Sequence, residues 1–97
     1  MTKVGEHITL DIVGTTKEYN PEFFEKLVYR IAKLAKVTVL EISKYKFEPQ
    51  GFTLVALLAE SHISFHTFPE KRIISFDFFT CANVSPSVAI NIIKDEI

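Results

Sequence analysis

Residues 52–70 read FTLVALLAESHISFHTFPE, and the first half of this stretch decides the fold. FTLVALLA (52–59) is apolar on both parities of an extended chain, the pattern of a strand covered on both faces and central to its sheet. The run breaks at Glu60-Ser61-His62, and ISFHTF (63–68) has strand or turn character before Pro69-Glu70 closes it. A carboxylate, a hydroxyl and two imidazoles where a greasy strand ends mark either a strand meeting solvent or a reaction site.

Upstream, Glu48-Pro49-Gln50-Gly51 is turn chemistry, preceded by VTVLEISKYKF (37–47), a further strand. Asn20-Pro21 opens a helix as cap and first helical residue, and Phe24, Leu27, Val28, Ile31 and Leu34 form its apolar stripe as far as about Lys36. HITLDIV (7–13), closed by Gly14, is the first strand. Downstream, RIISFDFFT (72–80) is a strand with two unlike faces. Ile74, Phe76 and Phe78 suit a helix layer, whereas Ile73, Ser75, Asp77, Phe79 and Cys81 are mixed. Ser85-Pro86 starts a second helix carrying Val88, Ala89, Ile92 and Ile93.

The expected order is β-α-β-β-β-α, an α+β fold: a two-layer α/β sandwich with a mainly antiparallel sheet and two helices on one face. Two helices cover one face only. Val55, Leu57, Ile73 and Phe79 remain on the other, and a second copy of the chain, sheet against sheet, is the expected cover.

Ninety-seven residues make a single domain, 1–97, with one modest core. Eleven basic against twelve acidic side chains argue against a nucleic-acid partner, which needs a concentrated basic face. Cys81 is the only cysteine, which excludes an internal disulfide and a multi-cysteine metal site within one chain. MTKVGEHITL lacks the basic-then-apolar pattern of a signal peptide, and no apolar run approaches the ~20 residues that cross a bilayer. The expectation is a soluble cytoplasmic protein without a membrane partner.

His62 and His66 have the HxxxH spacing that binds zinc on a helix, with Cys81 as a conceivable third ligand. The segment is not helical in character and lacks the glutamate of a zinc protease motif, so no metal is expected. Ser61, His66 and Cys81 are raw material for nucleophilic catalysis, but the GxSxG elbow of a hydrolase is missing. Each residue also has an ordinary reading: histidines as surface or hydrogen-bonded groups, Cys81 as a small hydrophobe, Phe47 and Phe68 as core, Glu70 as a solvated carboxylate.

Taken jointly, ESHISFHTFPE (60–70), Thr80-Cys81 and the proline-started helix resemble the bacterial and archaeal S-adenosylmethionine decarboxylase proenzymes. Their typical pattern is close to ESHxxxHTWPE followed after a strand by FTCG. Gly5-Glu6-His7 and PQGFT (49–53) also resemble family positions, and the likeness covers nearly the whole chain. Here HTF stands for HTW and TCA for TCG, and family members usually continue beyond the second helix with another strand and tail.

The resemblance implies self-cleavage between Glu60 and Ser61, giving a β chain of residues 1–60 and an α chain of 61–97. Ser61 would attack the Glu60 carbonyl carbon, and β-elimination and hydrolysis would leave a pyruvoyl cofactor at position 61 with loss of ammonia. That group would form a Schiff base with the substrate amine and do the work of pyridoxal phosphate. By resemblance, His66 assists processing with support from Thr53. Cys81 is the proton donor, since an ordinary thiol is protonated at neutral pH. Phe47 and Phe68 sandwich the adenine, and Glu70 binds the ribose hydroxyls. The implied reaction turns S-adenosylmethionine into the aminopropyl donor of spermidine and polyamine biosynthesis, in a homodimer of cleaved protomers. Ornithine or arginine as substrate, and a non-enzymatic dimeric α/β module, are the alternative readings. In a flat strand Ser61 and His66 point to opposite faces, so a turn or bulge between them is required if they are to meet.

Overall fold

Five strands build the sheet, one more than the expected order contains. The computed structural model describes residues 4–81 and 85–97, so Ala82 of the Thr-Cys-Ala motif lies outside the described residues. The elements are β1 (Gly5–Val13), α1 (Pro21–Ala35), β2 (Val39–Lys46), β3 (Phe52–Leu58), β4 (Ser61–Phe68), a 3-10 turn (Pro69–Lys71), β5 (Ile73–Cys81) and α2 (Ser87–Glu96). The added strand is β4. In SHISFHTF, Ile63 and Phe65 are fully buried beneath the sheet while His62, Ser64 and His66 face the other way. That is the period of a half-covered strand.

The sheet is antiparallel throughout, in the order β1-β5-β4-β3-β2. β4 is therefore central, and β3 lies next to it. Both helices pack on one face. The core joins Phe24, Val28 and Ile31 of α1 to Leu54, Ile63, Phe65 and Phe78 of the sheet and to Ala89 and Ile92 of α2. Phe24, Phe65 and Phe78 are fully buried, and truncating any of them to alanine would cost roughly 3–5 kcal/mol.

α1 begins as its sequence dictates: Asn20 Oδ1 accepts from the Phe23 amide at 2.9 Å, with Pro21 in the first turn. Its stripe ends differently. Leu34 is 55% exposed and Ala35 is buried in its place, because continuing from Ile31 by four residues keeps to the sheet-facing side better than three. α2 starts at Ser87, two residues after the Ser85 expected to cap it.

Among the described residues, the opposite sheet face carries no layer. β3 buries Phe52, Leu54, Ala56 and Leu58 but leaves Val55 and Leu57 41% and 50% exposed, so within one chain it is covered on one side only. On this open face the register lines up cross-strand rows. One runs His7, Phe79, His62, Leu57 and Glu41; another runs Asp11, Ser75, His66, Thr53 and Tyr45.

Candidate active site

β3 and β4 are joined by a two-residue loop, Ala59-Glu60, since Leu58 pairs with Ser61. Tight hairpins favour left-handed residues that lack a bulky side chain, usually Gly or Asn. Here Glu60 takes φ 60°, a conformation that costs an ordinary residue roughly 1–2 kcal/mol. The next residue carries a second anomaly. Ser61 is 6% exposed, and its Oγ is the buried side-chain polar atom without a hydrogen-bond partner among the described residues. An unsatisfied buried hydroxyl costs about 1–3 kcal/mol and calls for an explanation beyond stability. A strained residue followed by an unpartnered hydroxyl is the local geometry that suits acyl transfer across the Glu60–Ser61 bond.

Cys81 closes β5, half-buried and reduced, opposite Gly5. The β4–β5 pairing ends at His62 with Phe79, so Cys81 lies two residues beyond the last pair, at the end of the sheet that carries the Glu60 turn. Gly5 lets β1 pass close to β5 there. A Cβ there would stand 2.3 Å from the Thr80 carbonyl oxygen and 2.8 Å from the Phe79 ring.

The other expected residues gather at the far end of the sheet. Thr53 Oγ1 and His66 Nδ1 are hydrogen-bonded at 2.9 Å across β3 and β4. Phe47, Phe68, Glu70, Thr53 and His66 line one cavity of about 400 Å³, with Gln50, which sequence reasoning did not single out. Gln50 Nε2 donates to Glu70 Oε2 at 3.2 Å and steadies the carboxylate at the cavity rim. Gly51 shapes the wall. It has φ 89°, its carbonyl accepts from the Phe47 amide at 2.8 Å, and a Cβ would meet the Thr67 carbonyl at 3.0 Å. Phe47 and Phe68 remain 50% and 39% exposed, two ring faces open to a planar ligand. A second cavity of similar size, about 400 Å³, lies by the start of α1 and contains none of Thr53, His66, Phe68 or Glu70. The chemistry assigns the site to the first.

β4 has no turn or bulge between Ser61 and His66; its pairing with both neighbours is continuous. Ser61 therefore faces the helices and His66 the open side, five residues or roughly 16–17 Å apart along the strand. A single chain does not bring them together. Nor do His62 and His66, four residues apart on β4, converge with Cys81 as a ligand set.

His62 instead joins a cluster that spacing in sequence does not reveal. Its Nε2 lies 3.1 Å from Asp77 Oδ2, and His7 Nε2 reaches the same oxygen at 2.6 Å. Ser64 Oγ donates to Asp77 Oδ1. The three ligand-type atoms lie within 4.8 Å of one another, and their contacts are hydrogen bonds. Burial acts to raise the Asp77 pKa, but bonds from Ser64, His7 and His62 outweigh it and hold the carboxyl below its ordinary 3.8. Because the folded value is the lower one, Asp77 contributes stability that is complete above 3.8 and is lost as pH falls below it. Acid unfolding followed by circular dichroism should thus show a shallower loss below pH 3.8 in Asp77→Asn than in the parent; equal slopes would exclude the contribution.

The antiparallel five-stranded sheet with two helices on one face matches the fold of a solved enzyme. The crystal structure of adenosylmethionine decarboxylase from Aquifex aeolicus superposes with a TM-score of 0.78 at 34% identity, over 100% of this chain and 80% of the other. The family model described as S-adenosylmethionine decarboxylase matches residues 6–97. A Synechococcus S-adenosylmethionine decarboxylase proenzyme is 39% identical over 97 residues, covering 97% of this chain and 76% of the relative. That of Methanococcus vannielii is 41% identical over 83 residues, covering 84% and 68%. The chain belongs to the S-adenosylmethionine decarboxylase family.

Proposed function

We infer that this protein decarboxylates S-adenosylmethionine to the aminopropyl donor used in polyamine biosynthesis, after cutting itself between Glu60 and Ser61. The observation that carries the reading is the meeting of Phe47, Phe68, Glu70, Thr53 and His66 around one cavity in a chain of this family. Two aromatic faces and a rim carboxylate match a nucleoside with vicinal hydroxyls. The names of the relatives favour this substrate over ornithine or arginine.

The residues at the cut fit a pyruvoyl group derived from Ser61. Its hydroxyl has no competing hydrogen bond, and the bond to be cut follows a left-handed glutamate. Once formed, that group supplies the electron sink for a departing carboxylate. Ser61 Oγ attacks the Glu60 carbonyl carbon, and the Thr53–His66 pair moves the protons of that transfer. Cys81, at the same end of the sheet, returns a proton to the substrate α-carbon. Phe47 and Phe68 hold the base, and Glu70, steadied by Gln50, accepts from the ribose hydroxyls. Glu70→Gln should raise KM for S-adenosylmethionine about tenfold with little change in kcat; an unchanged KM would remove Glu70 from the binding role.

Ser61 and His66 lie too far apart in one chain to react, and the exposed apolar Val55 and Leu57 support a homodimer built on the open faces. A two-fold axis running across the strands sets the Thr53–His66 end of one protomer over the Glu60–Ser61 end of its partner, and covers Val55, Leu57 and Phe79. Among the described residues no helix is long and apolar enough to cross a membrane. The single reduced cysteine in a catalytic position suits the cytoplasm, where thiols stay reduced. Intact mass should resolve fragments 1–60 and 61–97, and labelled carbon dioxide should be released from S-adenosylmethionine rather than from ornithine or arginine. An uncut chain after long incubation, or release from ornithine, would overturn the reading.

A further inference from the structure

His62, Asp77 and His7 take no part in the chemistry set out above, yet with Ser64 they form a four-residue polar network on the open face. Asp77 Oδ1 accepts from Ser64, and Oδ2 is shared between His62 at 3.1 Å and His7 at 2.6 Å. An ionised carboxylate only accepts, so both imidazoles present Nε2–H to it. The His62 ring also stacks on Phe79, with centroids 6.0 Å apart and planes 11° apart, and Phe79 in turn leans on Gly5. His62 is thus fixed at its tip and on its face.

Its position gives this fixation a purpose. A cut before residue 61 turns the first residue of β4 into a free chain end, and chain ends fray unless tied. The last rung of the β3–β4 ladder, Leu58 with Ser61, holds that residue at the sheet's end. The first side chain able to anchor it is His62, and the anchor is Asp77, two pairs of residues before Cys81 on the same face of β5. We propose that His62 and Asp77 are positioning residues that pin the start of the 61–97 chain, so that the group at position 61 stays aligned with Cys81. This rests on the cleavage reading above.

The test measures the cleaved fraction by mass, and kcat and KM for S-adenosylmethionine, in the parent, His62→Ala, His62→Gln and Asp77→Asn. Cleaved His62→Ala and Asp77→Asn should lose about tenfold or more in kcat, with KM within about twofold, because misalignment costs the chemical step rather than binding. His62→Gln keeps an N–H near the place of Nε2 and should recover most of that loss, which a role in bulk packing would not produce. Unchanged kcat in the cleaved variants, a loss confined to KM, or no recovery with glutamine overturns the proposal. If His62→Ala stays uncut, Asp77→Asn decides by the same criterion; if both stay uncut, the pair acts in processing and the positioning role is overturned. A parent that fails to cut sinks the cleavage reading instead, so the two failures are distinct.

Discussion

Ser61→Ala should remain one uncut chain and release no carbon dioxide from S-adenosylmethionine above background. Among the described residues no other side chain stands where Ser61 Oγ does, buried and unpartnered next to the left-handed Glu60. The effect is all or none because removing the hydroxyl removes both the nucleophile of the cut and the atoms from which the electron sink is made. Intact mass reads it directly, and fragments from this variant would disprove the assignment of the cut. The same variant tests the shared site. His66→Ala alone should cut slowly, whereas co-expression with Ser61→Ala should restore cutting of the His66→Ala chain, since each copy then offers what the other lacks. No restoration would mean that His66 acts within its own chain.

Cys81→Ala should cut to the parental extent and then turn over about 10²- to 10⁴-fold more slowly, the usual contribution of a positioned proton donor. The thiol closes β5 at the same end of the sheet as the Glu60–Ser61 turn, outside the Thr53–His66 pair assigned to processing. Cleaved fraction by mass and single-turnover decarboxylation separate the two roles. Parental turnover in the cleaved variant would strike Cys81 from the chemistry.

Much of this was readable in the residues. The apolar run at 52–59, the Asn20-Pro21 start and the split faces of 72–80 state two layers and an uncovered sheet face. The strand β4 is less plain: its outward positions include His62, Ser64 and His66, and only Ile63 and Phe65 mark the inward face. Opposite parity of Ser61 and His66 is also legible, but the expected bulge between them is absent, because β4 is paired on both sides and each neighbour holds its register. The proposed relief is a second copy of the chain, which intrachain periodicity cannot express. The Asp77 network is hidden for a different reason. His7 and Asp77 are 70 residues apart and meet only because β1 docks on β5, a non-local pairing that local pattern does not encode.

The strand order has one further consequence. In β1-β5-β4-β3-β2, residues 1–60 supply both outer flanks, β1 on one side and β3 with β2 on the other, and residues 61–97 supply the two strands between them. The proposed cut would therefore make an inlay rather than two halves. The short fragment would be gripped along both its edges, and it could not leave without opening two ladders at once. Folding as one chain would set it in place; afterwards the frame would hold the seam, a broken backbone in the middle of an unbroken sheet.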